Sequence, residues 1–325
     1  MKILFINTPE PDYLQDLTYS GLAKLLGPGQ VADHPWNPHY HLPLRRYPRN
    51  LGGTSFSPPR IFTDFSHYDL ALVGAAKPRC FQNYINIVNK IPASAPVVFV
   101  DGGDWPEVGG DLKRLGAWEL YREAVGRRPF DLVFKREMVE GTPYPEATFP
   151  LPFSFNFDRL PRNLPAKLKY QVSFWAADSN PIRGKAIDIL QDKFDCRDNG
   201  TFLHKEFRQF KRRGARYLTE LAACTVVLNL PGLGWDTLRY WEVPALGRLM
   251  VSMRPRIAIP GNFIDGKEIA FCRDDLLDLV ELCQRYLDHP GEREAMAMAA
   301  QAKARAQHSD LARARYLMEI IAKCK

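Results

Sequence analysis

The sequence alternates short apolar, β-rich runs with helical patterns, and this alternation occurs in two blocks. The strand-like runs of the first block lie at 2–7, 69–73, 97–100 and 132–135. A helical pattern covers 112–125, and the region 33–60, rich in Pro, Gly and His, is predicted to be a long loop. The second block begins at Tyr170 and follows the same order. A βαβα order predicts a mostly parallel sheet with helices on both faces, because parallel strands need crossover connections. We therefore predict an α/β fold.

A proline-rich stretch over 142–164 separates the two blocks. Its prolines are Pro143, Pro145, Pro150, Pro152 and Pro161. So many prolines favour an extended linker, and a length of 325 residues fits about two domains. We predict an N-terminal domain over 1–150, a C-terminal domain over 165–308, and a final helix over 309–325 that crosses back to the first domain.

Composition narrows the class of protein. No apolar run approaches the roughly 20 residues that cross a bilayer, and the start MKILFINTPEP reads as a buried strand and not as a signal peptide. We therefore expect a cytoplasmic protein. The six cysteines form no CxxC pair, which argues against a disulfide framework or structural zinc. The net charge of +7 favours anionic partners, namely phosphates, nucleic acid or acidic lipid.

The first candidate site is the strand–loop–helix that ends in Ser179, Asn180 and Arg183. Asn180 is a good N-cap residue, and Pro181 suits the first helical position. The free N–H groups of such a helix start attract phosphate. Ser179 and Arg183 would add a hydroxyl and a charged hydrogen bond. An ordinary capped helix behind a strand is the alternative.

The second candidate is the segment from Leu230 to Gly247, in which a strand leads into a glycine-containing turn and a helix. Glycine allows a ligand to approach the backbone closely, and Asp or Thr can cap the helix. A carboxylate three residues after an arginine shares its helix face and could accept sugar or ribose hydroxyls. The alternative is a surface ion pair. The candidate residues are Gly232, Gly234, Asp236, Thr237, Arg239 and Glu242.

From Tyr170 onward the sequence resembles the donor-binding half of GT-B glycosyltransferases, in the group that includes the CgeB-like proteins. Four features carry the resemblance, and the first half of the chain matches only in fold pattern. They are VSFWAADSNPIR, DTLRYWEVPALGRLMVS, PGNFIDGKEIAFCRDDLLDL, and His308-Ser309 followed by Arg313. The resemblance implies two Rossmann-like α/β/α domains facing across a cleft, with Glu242 binding donor hydroxyls. It also makes the first domain the acceptor side and the second the donor-binding domain.

The resemblance has one departure. The position eight residues before Glu242 is Gly234, whereas retaining relatives commonly carry a second Glu there. Retention or inversion of the anomeric centre therefore stays open.

Asp101 and Asp104 follow the third strand of the first block and are the catalytic candidates. The carboxyl end of a strand is where ligands bind in such sheets, and a carboxylate there could act as general base for an acceptor hydroxyl. The alternative is a tight turn in which Asp101 caps backbone N–H groups. The spacing Asp-Gly-Gly-Asp is not a metal motif of the DxD type.

Three further groups of residues are weaker candidates for a functional site. His34, His39 and His41, with Asp33 beside them, could line an acceptor site or act as a base, but we favour a polar surface loop as the explanation. Lys135 and Arg136 could meet phosphate or solvent. A basic helix over 205–216 could dock on acidic membrane or simply be solvated. Its charged residues are Lys205, Arg208, Arg212 and Arg216.

The resemblance implies a glycosyltransferase that moves sugar from a nucleotide-sugar donor, its substrate, to a glycan, lipid or protein, and the candidate residues agree with it. We expect no metal and no other cofactor. Peripheral membrane contact fits the basic helix. A non-catalytic nucleotide-sugar or partner-binding module of the same fold is an alternative. A nucleic-acid-modifying glycosyltransferase is another, although we do not expect nucleic acid as a partner.

Overall fold

The computed structural model describes residues 1–42, 47–53, 64–173, 179–194 and 214–324. The chain forms two compact units. Unit 1 comprises Met1–Asn156, Ile257–Pro260 and Asp310–Lys325, and unit 2 comprises Phe157–Arg256 and Gly261–Ser309.

Unit 1 is built on a parallel sheet of six strands in the order β2-β1-β3-β4-β5-β6. The strands are β1 (Ile3–Ile6), β2 (Val31–His34), β3 (Leu70–Val73), β4 (Val97–Asp101), β5 (Leu132–Lys135) and β6 (Thr148–Pro150). All residues of the interior strands β1, β3, β4 and β5 are buried. Helices on both faces of a parallel sheet require such uninterrupted apolar strands.

The first helix of unit 1 begins and ends at residues that are typical of helix ends. Asp12 caps the first helix by accepting a hydrogen bond from the Gln15 amide, and Gly27, with a φ of 93°, ends it. The helices are α1 (Tyr13–Leu26), α2 (Pro38–His41), α3 (Pro78–Ile87), α4 (Gly110–Arg114) and α5 (Trp118–Arg127).

Three sequence predictions for this unit need correction. The region 33–60, predicted to be one long loop, contains the end of β2 and all of α2. The predicted helix 112–125 is broken into α4 and α5 at Gly116, whose φ of 70° a right-handed helix does not accommodate. The proline-rich stretch includes β6, an edge strand, where a missing N–H donor is tolerated.

Unit 2 has a parallel sheet of four strands in the order β10-β9-β8-β7. The strands are β7 (Tyr170–Ser173), β8 (Cys224–Asn229), β9 (Leu249–Met253) and β10 (Ala270–Cys272). The helices are α6 (Pro181–Leu190), α7 (Ala215–Ala222), α8 (Leu238–Ala245), α9 (Leu279–Asp288) and α10 (Pro290–Gln307). Lys205, Arg208 and Arg212 of the predicted basic helix lie outside the described residues, and Arg216 lies in α7.

The last helix, α11 (Asp310–Lys323), belongs to unit 1 and packs against α1. A Cβ on Gly21 would lie 2.2 Å from the carbonyl oxygen of Asp310, so only glycine allows the two backbones to approach this closely. The buried Asp310 carboxylate accepts a 2.7 Å hydrogen bond from Ser20 and pairs with Lys24 at 2.7 Å. These contacts fix the start of α11 on the middle of α1.

Among the described residues, no helix combines the length and the apolar character that crossing a membrane requires.

Candidate functional site

In unit 2, the candidate donor residues lie where β7 and β8 end. Both strands are parallel, so the loops that follow them emerge at the same edge of the sheet. In open parallel sheets, ligands bind at this carboxyl edge. The loop after β7 is described from Ser179 onward, and Trp175 and Asp178 lie outside the described residues.

Arg183 joins the two loops. Its Nη1 donates a 2.9 Å hydrogen bond to the Ser179 hydroxyl, and its Nη2 donates a 3.1 Å hydrogen bond to the carbonyl of Leu230. The residue is 5% exposed, so its charge is largely desolvated. A guanidinium held in this way presents a positive charge in a fixed position, which suits a phosphate.

Asn180 makes a second link between the same loops. Its Oδ1 accepts the capping hydrogen bond from the Ile182 amide at 3.1 Å, and its Nδ2 donates to the Gly232 carbonyl at 2.9 Å. A Cβ on Gly232 would lie 3.2 Å from Nη2 of Arg183 and 3.5 Å from the Ser179 hydroxyl. The absence of a side chain at Gly232 therefore keeps the loops close together.

Gly234 closes the turn that leads to α8, since its carbonyl accepts a 2.9 Å hydrogen bond from the Gly232 amide. Thr237 occupies the N-cap position of α8, but its side chain makes no capping hydrogen bond. Its hydroxyl donates instead to Oδ1 of Asn229 at 2.6 Å. The buried Asp236 accepts a 2.7 Å hydrogen bond from the Trp241 indole. Thr237 therefore occupies the predicted N-cap position but does not cap α8 through its hydroxyl, which contacts the end of β8. A capping role for Asp236 stays a prediction.

Glu242 is buried in α8, where only 1% of it is exposed, and its Oε2 accepts a 2.8 Å hydrogen bond from the Tyr217 hydroxyl. Arg239, one turn earlier, is 7% exposed, so the alternative of a surface ion pair is wrong. Burial raises the pKa of Tyr217 above its ordinary value, and the negative charge of Glu242 raises it further, while Arg239 opposes the shift. Tyr217 therefore stays protonated and donates to Glu242.

Several residues in this part of unit 2 were not predicted from the sequence. Tyr217 lies in α7, far along the chain from Glu242. Asn229 ends β8 and donates a 3.1 Å hydrogen bond to Ser252, which is fully buried near the end of β9. Beyond β9, the guanidinium of Arg256 lies 5.7 Å from the ring centroid of Trp235. The available signal was a polar or basic residue at the end of each apolar run.

In unit 1, Asp101 ends β4 and is completely buried. Its Oδ1 accepts from the Gly103 amide at 3.0 Å and its Oδ2 from the Gly109 amide at 2.8 Å. Lys135, equally buried, places its Nζ 3.1 Å from Oδ2. Both carboxylate oxygens and the lysine are therefore engaged in holding the loop after β4, and neither side chain reaches solvent.

Asp104 is 36% exposed and pairs with Arg136, whose Nε donates a 3.0 Å hydrogen bond to the Gly102 carbonyl. The Arg136 guanidinium also lies over the ring of Phe153, and the distance from Cζ of Arg136 to the ring centroid is 4.5 Å. The catalytic roles of Asp101 and Asp104 stay predictions. Of the two, only Asp104 has a carboxylate open to solvent.

Asp12, which sequence analysis passed over, lies at the same edge of the unit 1 sheet. It follows β1 and caps α1, and a Cβ on Gly102 would lie 2.8 Å from its Oδ1. Burial raises the pKa of Asp12 above its ordinary value, against the lowering effects of Lys77, the Gln15 amide and Arg136. Its sequence signal was an aspartate directly before a helical pattern at the end of a strand.

The histidines follow β2 or end it. His41 is buried and its Nε2 lies 2.8 Å from Oδ1 of Asp33, while the Trp36 ring stacks on its imidazole at 5.5 Å between centroids. Burial lowers the pKa of both His34 and His39. The structure therefore brings His41 and Asp33 together as a buried pair, and an acceptor role for the histidines stays a prediction.

Within the parts of the chain that the structure describes, no three His, Cys, Asp or Glu side chains are placed to hold a metal ion. Whether the chemistry needs a metal is not decided by this observation and stays a prediction.

Comparison with family models finds a match in the second half of the chain. Residues 192–319 match a family model described as glycosyl transferase-like. A comparison with curated proteins found no significant match. The narrower CgeB-like grouping stays a prediction.

Solved structures resemble the chain over nearly its whole length. Anabaena HepE in complex with UDP has a TM-score of 0.63 at 13% identity, covering 99% of this chain and 100% of that chain. Sucrose-phosphate synthase from Thermosynechococcus elongatus has a TM-score of 0.61 at 11% identity, covering 99% and 98%. An α-glucosyltransferase in complex with UDP and DNA has a TM-score of 0.61 at 11% identity, covering 98% of each chain. The chain thus has the fold of GT-B glycosyltransferases and carries a glycosyl transferase-like sequence over residues 192–319.

Proposed function

We propose that the chain is a glycosyltransferase that takes a sugar from a nucleotide-sugar donor and transfers it to a hydroxyl group of a glycan, lipid or protein. One observation carries the proposal. Arg183 is fixed between the loops after β7 and β8, at the same sheet edge from which α8 begins and presents the buried Glu242. A fixed cation and a buried carboxylate suit the two halves of a nucleotide sugar.

The diphosphate would bind at the starts of α6 and α8 beside Arg183. Helix N-termini carry unsatisfied N–H groups and partial positive charge, which favour anions. The Thr237 side chain makes no capping hydrogen bond at the start of α8, which suits a phosphate at this helix start. Negative charge develops on the leaving diphosphate during transfer, and preorganised donors stabilise it there more than in water.

The sugar or ribose hydroxyls would bind to Glu242. An ionised carboxylate offers about four acceptor positions, and the Tyr217 hydroxyl donates to Oε2. A carboxylate held by a buried tyrosine is preorganised to accept further hydroxyl donors. Arg239, which lies on the same helix, would balance the negative charge.

UDP and UDP-glucose are the first probes for this site. HepE was solved with UDP and, separately, with UDP-glucose, and the α-glucosyltransferase was solved with UDP. At 11–14% identity these likenesses show the fold alone, so the base and the sugar of the donor need direct tests. We expect UDP to raise the melting temperature of the protein by mass action, and GDP and ADP serve as comparisons.

Replacement of Glu242 by Ala separates an enzyme from a binding module. For an enzyme, we expect wild-type protein to release UDP from UDP-glucose in the presence of acceptor, and the variant to lose this turnover while it stays folded. Folded wild-type protein that binds UDP without releasing it from UDP-glucose would support the module. EDTA-treated protein should retain turnover, because we expect no metal requirement.

The net charge of +7 favours one alternative, a nucleic-acid-modifying glycosyltransferase. Its binding to DNA gives a simple test. Binding of duplex DNA that weakens steeply as salt rises would support that alternative, whereas no binding at low salt would remove it. A cytoplasmic location and a peripheral membrane contact through the basic segment 205–216 are further parts of the proposal. Cell fractionation tests both.

A further inference from the structure

Trp105 is a large aromatic side chain of unit 1 that the proposed donor site does not use. It lies in the loop after β4, and 51% of it is exposed. Among the described residues, no ring or cation stacks on its indole. The other described tryptophans each have such a neighbour, namely His41 for Trp36, Tyr121 for Trp118, Arg256 for Trp235 and Tyr240 for Trp241. The Trp105 indole is therefore left to water or to a ligand.

The loop that carries Trp105 is held by fixed contacts. The buried Asp101 carboxylate accepts hydrogen bonds from the amides of Gly103 at 3.0 Å and Gly109 at 2.8 Å. A Cβ on Gly110 would lie 2.9 Å from Cβ of Trp105, so only glycine at position 110 leaves room for Trp105 in this place. A surface that is already ordered loses little conformational freedom when it binds a ligand.

A partly exposed carboxylate lies next to Trp105 in the chain. Asp104 is 36% exposed, and its Oδ1 pairs with the buried Arg136. Arg136 lies over the Phe153 ring, and Tyr13 packs edge-to-face on Phe153 at 6.2 Å between ring centroids. Tyr13 is itself 36% exposed. Trp105, Asp104 and Tyr13 therefore form one surface, the edge patch, at the carboxyl edge of the unit 1 sheet, where ligands bind in open parallel sheets.

The chemistry of the edge patch matches a sugar ring. The C–H bonds on one face of a pyranose carry a slight positive charge, and the face of an aromatic ring carries a negative one. The hydroxyl groups around the pyranose can donate hydrogen bonds to a fixed carboxylate such as that of Asp104. An alkyl chain across the patch would instead cover this carboxylate without offering it a hydrogen bond, which is unfavourable.

We propose that unit 1 binds a glycan at the edge patch. One sugar ring stacks on Trp105 and donates hydroxyl hydrogen bonds to Asp104, and a further ring of the same glycan lies against Tyr13. The inference rests on the proposed glycosyltransferase function, for which this glycan is the acceptor substrate. It narrows the acceptor from a glycan, lipid or protein to a glycan.

A glycan array of neutral and acidic oligosaccharides, probed with the full-length chain with and without UDP, tests the proposal. We expect wild-type protein to bind oligosaccharides on the array and Trp105→Ala to lose this binding. Calorimetric titration with an oligosaccharide from the array should give a Kd about tenfold higher or more for Trp105→Ala, the usual effect of truncating a central tryptophan. Trp105→Phe keeps an aromatic face and should retain part of the affinity.

Further variants separate the edge patch from the rest of unit 1. Asp104→Asn should raise the Kd of the same oligosaccharide by about 3- to 10-fold, because an amide makes weaker hydrogen bonds with hydroxyls than a carboxylate does. Leu115→Ala is the control and should leave this Kd unchanged, since Leu115 is an exposed apolar residue of unit 1 that follows α4. Every variant should keep the wild-type Kd for UDP, whose proposed site lies in unit 2.

Wild-type protein that binds UDP but no oligosaccharide on the array would overturn the inference and leave the proposed function standing. The same holds for oligosaccharide binding that Trp105→Ala leaves intact, and for binding to phosphatidylcholine vesicles that Trp105→Ala abolishes, which would indicate a lipid. Oligosaccharide binding through Trp105 by a protein that binds neither UDP nor UDP-glucose would contradict the proposed donor and leave the edge patch as a glycan-binding surface.

Discussion

The hydroxyl of Tyr217 donates a 2.8 Å hydrogen bond to Oε2 of Glu242, and this contact joins helix α7 to helix α8. Glu242 is almost completely buried, so its charge depends on the few polar groups around it. A buried carboxylate without a donor would cost several kcal/mol or take up a proton. The contact therefore supplies a hydrogen-bond donor to the buried Glu242 carboxyl group inside unit 2.

Replacing Glu242 by Gln should weaken the binding of UDP-glucose more than the binding of UDP. The amide keeps the size of the side chain and can still accept from Tyr217, but it loses the charge-assisted bonds to donor hydroxyls. We expect the Kd of UDP-glucose to rise by about 10- to 100-fold. Tyr217→Phe is the matched control and should raise the Kd of UDP-glucose less. Calorimetric titration measures both, and equal weakening of both ligands would argue against a sugar-binding role.

Replacing Arg183 by Met should remove most of the contribution of the diphosphate to affinity. The expected rise in the Kd of UDP is about 10- to 100-fold, since a charge-assisted hydrogen bond is worth roughly 1.5–3 kcal/mol. Binding of uridine, which lacks phosphate, should stay the same. Arg183→Lys should retain part of the UDP affinity. A variant that loses uridine and UDP binding to the same degree would indicate a disrupted loop and not a lost phosphate contact.

Replacing Gly232 by Ala should weaken UDP binding by a factor of about 3 to 10, equivalent to roughly 1 kcal/mol. The new methyl group would lie 3.2 Å from Nη2 of Arg183, so the guanidinium has to shift. Gly29→Ala is the control, because a Cβ there meets no atom within 4 Å. Titration of both variants with UDP tests the expectation, and an unchanged affinity for the Gly232 variant would contradict it.

Replacing Asp101 by Asn should destabilise unit 1, because Lys135 would keep a buried charge without its partner. Both side chains are fully buried at 0% exposure, and breaking such a pair costs about 3–5 kcal/mol. Lys135→Met should cost a similar amount. The double variant should lose less than the two single variants added together, as measured by urea unfolding. Strict additivity would show that the pair is not coupled.

Asp16 should make the stability of the protein depend on pH. Burial, and then the charge of Asp12, raise the pKa of Asp16 to about 8 in the folded state, from an unfolded value near 3.9. The folded state therefore binds more protons between these values. Its stability falls as the pH rises through this range, by at most about 1.4 kcal/mol per pH unit.

Asp16→Asn removes this titration. Compared with wild-type protein, the variant should gain stability as the pH rises from 5 to 8, and thermal unfolding at several pH values measures the difference. A constant difference between the two proteins would mean that Asp16 keeps an ordinary pKa.

Much of the fold could be predicted from the sequence, because the local sequence signals agree with the burial of the residues. The runs that form β1, β3, β4 and β5 are completely buried, so they are apolar except for Asp101 and Lys135 at the ends of β4 and β5. Asn180 and Pro181 marked the start of α6 correctly. The break at Gly116 escaped notice because one glycine within a helical pattern is often tolerated, and only its positive φ ends the helix.

The candidate site could be predicted from the sequence only in part. Polar residues that follow strands directly, such as Asn180 and Gly232, could be predicted because parallel strands end at one edge. The Tyr217 contact with Glu242 could not, since it depends on how α7 packs against α8. Asp101 shows the same limit: it follows an apolar run, and only the contacts reveal that both of its carboxylate oxygens accept hydrogen bonds.

The central claim is that the carboxyl edge of the unit 2 sheet binds the diphosphate of the donor. Hydrogen–deuterium exchange with and without saturating UDP tests this most directly, with saturation established by calorimetry. We predict slower exchange in peptides that span 179–190 and 229–245, and little change in peptides that span 97–111. Slower exchange confined to the unit 1 peptides, or no change anywhere in unit 2, would contradict the claim.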